Sequence, residues 1–256
     1  MDEKQGARTD LIVGRNAVLE ALQSGRAIDS VWIARGDRTG SIGKILHLCR
    51  EKGVVVKDVD EKKLSFSCGH ANHQGVAAFA AAHEYAEVED IFALAASRGE
   101  APFILVCDEV EDPHNLGAIL RSAEAAGAHG VIIPKRRSAS LSWAVAKTSA
   151  GAIEYVPVAR VPNIPALLED LKKRGVWIYA ADMDGQLWCD TDFGGAVALV
   201  IGSEGRGVGR LVRERCDFTV SLPMHGKVNS LNASVAAGIL LFEVARQRMK
   251  NGGVGN

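Results

Sequence analysis

No apolar run in this chain of 256 residues approaches the roughly 18 that a membrane-crossing helix needs. The opening stretch, MDEKQGARTD, is charged and carries no hydrophobic segment, so no secretory signal peptide is expected. The five cysteines are scattered, odd in number and free of any CxxC pair, which argues for reduced thiols and a cytoplasmic setting rather than a disulfide scaffold. Charge of either sign is not in excess, for the net charge is −1. Repeats and low-complexity tracts are missing too. What remains is an ordinary folded composition, 47% hydrophobic, in a chain long enough for one large domain or two small ones.

The near-zero net charge hides a local imbalance. Residues 83–100 carry five acidic side chains and one basic, leaving the flanking segments slightly positive. Basic clusters such as PKRRS at 134–138 therefore stay available to phosphates, although most such clusters are solvated faces.

The order of patterns predicts an α/β protein. In the first 82 residues LIVG, SVWIA, VVVKDV and GVAAFAA read as strands, with helical RNAVLEALQSG, SIGKILHLCREKG and EKKLSF between them. Residues 83–100 turn acidic and alanine-rich and read as a linker with one short helix. From residue 101 on, FILVCDEV, GVIIP, EYVPVA, VWIYAAD, VALVIGSE and FTVSLP read as buried strands separated by helices, the pattern of a mostly parallel sheet.

In such a sheet ligands gather at the carboxyl ends of strands. Three of those ends carry unusual residues. In DEVEDPHNLGAILRSAEAAG (108–127), Asn115 is expected just before a helix starting near Leu116, and Arg121 stands three residues before Glu124, where a surface ion pair would explain it. LVIGSEGRGVG (199–209) is glycine-rich but is neither a Walker A loop nor a GxGxxG fingerprint, and Glu204 places a carboxylate among its glycines. PMHGKVNSLNASVAAGILLFEVARQ (223–247) sets Asn229, Ser230 and Asn232 before a helix. Its Leu231, Val235, Ile239 and Phe242 fall at helical spacing and predict the core-facing side. One N-cap would explain one of the three polar residues, not the cluster. In CGHANH, Cys68, His70 and His73 invite a metal reading, rejected because no fourth ligand stands nearby.

Taken together the three stretches resemble the three motifs of the SpoU/TrmH class of SPOUT RNA 2'-O-ribose methyltransferases, in that family's order and spacing across residues 103–248. IVGRNAVLEAL and HQGVAA give the first 82 residues a weaker likeness to the ribosomal-protein-like RNA-binding extension of RlmB-type enzymes, which methylate a guanosine ribose in 23S rRNA. The resemblance implies a C-terminal trefoil knot, S-adenosylmethionine (SAM) as methyl donor, rRNA as partner, a homodimer, and no metal. By motif match Asn115, Arg121, Glu204, Ser230 and Asn232 would be the catalytic and ribose-orienting residues. Gly202, Leu222 and Leu231, with Ile201, Met224 and Asn229, would hold the cofactor. A tRNA guanosine methyltransferase, an enzyme for another rRNA nucleotide, and a non-enzymatic ribosome-assembly factor are the competing readings.

Overall fold

The computed structural model describes residues 11–24, 26–36, 40–81, 83–227 and 230–251. The chain forms two compact units that divide between Glu84 and Tyr85, with the short stretch Ser140–Trp143 grouped with the first.

The first unit is a four-stranded sheet of β1 (Leu11–Val13), β2 (Ile28–Ala34), β3 (Val55–Val59) and β4 (Val76–Ala80), ordered β1-β4-β2-β3. Only the β2–β3 pair is parallel. Three helices cover it: α1 (Arg15–Gln23), α2 (Ser41–Glu51) and α3 (Glu61–Ser67). Alternation along β4 divides the core in two. Val76, Ala78 and Ala80 pack with Val18 and Leu22 of α1 and Ile42, Ile45 and Cys49 of α2, whereas Ala77 packs with Leu64 and Cys68 around α3. Each large aliphatic group buried this way contributes about 1.5–3 kcal/mol relative to exposure.

The second unit opens with α4 (Val88–Ser97), held at its start by a capping box in which Asp90 accepts the Glu87 N–H at 2.8 Å. Six strands form an all-parallel sheet: β5 (Phe103–Cys107), β6 (Gly130–Pro134), β7 (Val158–Val161), β8 (Trp177–Leu187), β9 (Val197–Ile201) and β10 (Phe218–Ser221), ordered β10-β8-β9-β5-β6-β7. The connecting helices are α5 (Pro113–Ala125), α6 (Trp143–Thr148), α7 (Ile164–Lys173) and α8 (Arg210–Arg213), and α9 (Ala233–Asn251) follows β10. FILVC and VALVI are buried at every position because helices cover both faces. Ile104, Val106, Ala198 and Val200 face α4 and α7, while α5 packs on α9 and α9 on β9. From β5 the chain runs first to β6 and β7 and then back to fill the opposite side. The strand order therefore reverses between β5 and β9.

Four expectations need correction. The stretch read as a linker is part of the second unit from Tyr85 on, for Ile91 of α4 is 0% exposed in its core. Gly130 makes room for it: a Cβ there would lie 2.4 Å from Ile91. Asn115 lies inside α5, which begins at Pro113 with Asp112 as N-cap accepting the His114 N–H at 2.8 Å. The strand read at EYVPVA starts later, at Val158, because Ala152–Glu154 turn as a 3₁₀ helix. Finally, α9 buries Ala233, Ala237, Leu240, Leu241 and Val244, leaving Val235 48%, Phe242 52% and Met249 58% exposed.

The C-terminal half of α9 is anchored. Arg248 donates to the Ala101, Pro102 and Gly195 carbonyls at 2.9–3.1 Å and lies over the Phe103 ring. Glu243, 4% exposed, accepts from Arg246 and Gln247, and the Arg246 guanidinium holds its carboxyl below the usual carboxylate range. Among the described residues no helix is long and apolar enough to cross a membrane.

Candidate functional site

Where the strand order reverses, the carboxyl ends of β5 and β9 point into loops that the backbone ties together. Asp108 follows β5. Its N–H donates to the Ile201 carbonyl at 2.8 Å, and its carboxylate accepts the Gly209 N–H at 2.8 Å. Burial pushes the Asp108 carboxyl above its ordinary range, against the pull of that N–H. Cys107 beneath it is fully enclosed, its thiol pushed up to about 12 and so held protonated.

After β9 the chain makes a tight reversal. Ser203 and Gly207 exchange backbone hydrogen bonds of 3.1 and 3.0 Å, and Gly205 and Gly207 take positive φ values of 82° and 66°. Gly202 lies against this reversal so closely that a Cβ would fall 2.0 Å from the Gly207 carbonyl carbon. The glycine thus serves the loop's own backbone, and Glu204 is carried at the tip.

Glu204 meets residues from two other loops. Asn115 Nδ2 donates to its Oε1 at 2.9 Å, and Asn232 Nδ2 donates to the same oxygen. Asn232 Nδ2 also donates to Asn115 Oδ1 at 2.9 Å. The amide orientations are determined by the backbone: Asn232 Oδ1 accepts the Ser234 N–H at 2.9 Å, so its Nδ2 must turn to the other two side chains. One asparagine therefore both caps α9 and completes the cluster.

Two adjoining cavities share this cluster. One, about 250 Å³, is lined by Ile201, Gly202, Val220, Leu222, Met224, Leu231, Ala233 and Ala236, together with Ser230 and the 203–207 reversal. The other, about 330 Å³, is lined by Glu109, Val110, Glu111, Asp112 and Asn115. Ser203, Glu204, Arg206 and Ala233 border both. The first is mostly apolar with exposed main chain, and the second is polar and acidic.

Of the residues expected from sequence, Ile201, Gly202, Glu204, Leu222, Met224, Ser230 and Leu231 line the first cavity, and Asn115 lines the second beside Asn232. Asn229 lies outside the described residues. Arg121 lines neither cavity: it is exposed on α5 and, among the described residues, has no ion pair with Glu124 or any other partner. Sequence reading missed Ala181, Asp182 and Met183, which border the first cavity because β8 runs past Asp182 to Leu187. The strand-end rule that picked out the other loops applies there too.

Two of the three residues in CGHANH have structural roles. His73 uses both ring nitrogens, one bonded to Ser65 Oγ at 2.8 Å and the other accepting the Gly75 N–H at 3.0 Å, while Cys68 is buried against Leu64.

Residues 102–242 match the model of the SpoU rRNA methylase family, and residues 11–86 match that of the RNA 2'-O ribose methyltransferase substrate-binding domain. The chain belongs to the SpoU family. This SpoU protein is 49% identical over 240 residues, 93% of its length and 96% of the relative's, to YacO of Bacillus subtilis, named as a TrmH family tRNA/rRNA methyltransferase. It is also similar to an AdoMet-bound rRNA methyltransferase from Sinorhizobium meliloti, with 25% identity, a TM-score of 0.55, and coverage of 93% of this chain and 87% of that one. A TrmH/SpoU tRNA modifying enzyme of A. aeolicus is 29% identical with a TM-score of 0.54, but the likeness spans only 59% of the SpoU chain and 77% of the other.

Proposed function

We propose that this SpoU enzyme transfers a methyl group from SAM to the ribose 2'-OH of a guanosine in 23S rRNA. The observation that carries the reading is the pair of adjoining cavities divided by the Asn115–Glu204–Asn232 cluster, one cavity suited to the methyl donor and the other open to the acceptor.

The first cavity fits an adenosine. Leu222, Met224, Leu231 and Ala236 offer apolar surface to a purine, and the main chain from Gly202 to Gly207 offers peptide groups to its polar edge. Bound there, SAM supplies a methyl carbon activated by its sulfonium, so the reaction calls for no metal. As the 2'-oxygen takes the methyl its proton passes to solvent, and the protein's task is orientation. The two amides fix the Glu204 carboxylate, whose remaining lone pairs accept from ribose hydroxyls, and Ser230 lines the same cavity. Arg121, exposed on α5, grips an RNA phosphate with its planar fork.

Two-domain coverage supports rRNA over tRNA. The likeness to the rRNA methyltransferase spans both units, whereas that to the tRNA enzyme spans 59% of the chain. The cytoplasm is the setting this substrate calls for.

The reading extends to assembly and topology. The apolar stripe of Val235, Phe242 and Met249 on α9 is covered by a second copy, making a homodimer. The C-terminal part of the chain is threaded through a preceding loop as a trefoil knot, a reading supported by the cavity that Leu222 and Leu231 share with the 202–207 loop and by the Glu204–Asn232 bond. Mapping of 2'-O-methylation across total rRNA and tRNA, with and without the gene, tests the substrate. Loss of one mark at a 23S guanosine is expected, and loss confined to a tRNA would reject it.

A further inference from the structure

Three chain segments converge at one end of the first unit's sheet: the carboxyl ends of β1 and β2, and the loop that enters β4. They enclose a cavity of about 520 Å³, separate from the two cavities around Glu204. Arg15 comes from the first segment, Arg35 from the second, and His70 and Asn72 from the third, with Glu61 and Ser65 of α3 on the side.

The cavity is built, not incidental. Arg15 is held by its own root: its N–H donates to Gln74 Oε1 at 3.2 Å and its Nε to the Gln74 carbonyl at 2.9 Å. That leaves the terminal guanidinium nitrogens directed elsewhere, with only a long 3.5 Å contact to Ser41. Holding Arg15 requires Gln74 at φ 51°, and His70 in the same loop stands at φ 61°, a left-handed conformation that side chains other than glycine's adopt uncommonly. Buried His73 braces the loop from beneath. Arg35, His70 and Asn72 are exposed, and no described residue partners their side chains.

We propose that this cavity seats a single unpaired nucleotide of the substrate RNA. Arg15 and Arg35 take its phosphate, since the guanidinium fork matches two phosphate oxygens at once. Asn72, His70 and the Glu61 carboxylate read the donors and acceptors of the base edge. Its volume is that of a pocket for one small group rather than a groove tracking a duplex. Splayed single-stranded bases are how sequence in RNA is usually read. The inference rests on the RNA methyltransferase reading and deepens it by placing a second point of RNA recognition away from the reacting ribose.

The test uses the full chain, an in vitro transcript of 23S rRNA, and three readouts: RNA affinity as a function of salt, SAM affinity, and methyl transfer. The double variant Arg35→Gln/Asn72→Ala should weaken RNA binding at least about tenfold and flatten the salt dependence by about one phosphate contact. Its SAM affinity and thermal stability should stay at wild-type values. Lys44→Gln/Lys57→Gln, exposed lysines of the same unit outside the cavity, should weaken RNA binding far less. Wild-type RNA affinity in the cavity variant, or an equal loss in the lysine variant, overturns the proposal. Failure of the wild-type enzyme to methylate any RNA would instead reject the reading on which it rests.

Discussion

Asn115 and Asn232, separated by 117 positions in the chain, are joined side chain to side chain at 2.9 Å, and both bond to the same oxygen of Glu204. An amide at position 115 is what lets a carboxylate sit there uncontested. Asn115→Asp would bring a second carboxylate within hydrogen-bonding distance, and like charges so close cannot both ionise readily. Methyl transfer should fall roughly a hundredfold at pH 8, comparable to losing a transition-state donor. It should recover in part as pH falls, because one carboxyl of the pair then takes a proton and becomes a donor again. A loss of the same size at every pH would show that charge repulsion is not the cause.

Gly202 and Gly205 stand three residues apart in one loop and should respond differently to alanine. At Gly202 the added carbon meets backbone 2.0 Å away, which cannot yield without reshaping the reversal that carries Glu204. Gly202→Ala should cost about 1–3 kcal/mol, as overpacking does, and abolish SAM binding in calorimetry. At Gly205 nothing lies within 4 Å, and only the φ of 82° opposes a side chain. Gly205→Ala should cost about 1 kcal/mol and retain SAM binding.

Arg121 has no ion pair to lose among the described residues. Arg121→Ala should therefore change stability by less than about 0.5 kcal/mol. If the fork grips RNA, methyl transfer should drop roughly a hundredfold at unchanged SAM affinity, and Arg121→Lys should be nearly as impaired. Full activity in the lysine variant would leave charge alone as sufficient.

The exposed stripe on α9 yields a prediction about mass. Phe242→Asp places a charge at the centre of Val235, Phe242 and Met249. Sedimentation should show wild-type dimers and variant monomers, with the variant's far-ultraviolet dichroism unchanged. A variant that remains dimeric would move the interface elsewhere.

His129 is buried, with Nδ1 accepting the Phe103 N–H at 2.9 Å and Nε2 bonded to Glu100 at 3.1 Å. Burial lowers its pKa from the usual 6.5, so the ring stays neutral in the fold while the unfolded chain takes up a proton. Its contribution to stability is complete above pH 6.5 and is lost as pH falls through the lowered folded value. In His129→Asn, chemical denaturation should show a smaller loss between pH 7 and pH 5 than in wild type. Equal losses would assign the acid sensitivity to other groups.

Much of the scaffold and part of the site were legible in the sequence, for definite reasons. Strands β5 and β9 announce themselves as unbroken Val/Ile/Leu runs because both faces are covered. The loops after them stand out because polar residues and glycines follow apolar runs abruptly. The face of α9 was not legible: Leu231, Val235, Ile239 and Phe242 are more hydrophobic than Ala233 and Ala237, yet the alanine side packs inward. Periodicity shows that a helix has an apolar stripe and cannot say whether a core or a second chain covers it. Ile91 was obscured in another way, as a deeply buried isoleucine in an acidic helix whose socket is the missing side chain of Gly130. Asp182 escaped because β8 continues beyond its apolar part in polar residues.

The anchoring of α9 has a consequence for how the enzyme comes into being. Asn232 closes the cluster at one end of that helix, and Arg248 clasps the start of β5 and Gly195 at the other. Both lie beyond every strand in chain order, and domains fold as units with the N-terminal one first during synthesis. The first unit can thus be complete while the chain is still being made, whereas the Asn115–Glu204–Asn232 cluster waits for α9 to emerge. A message truncated upstream of α9 therefore yields a folded first unit and a second unit without that cluster.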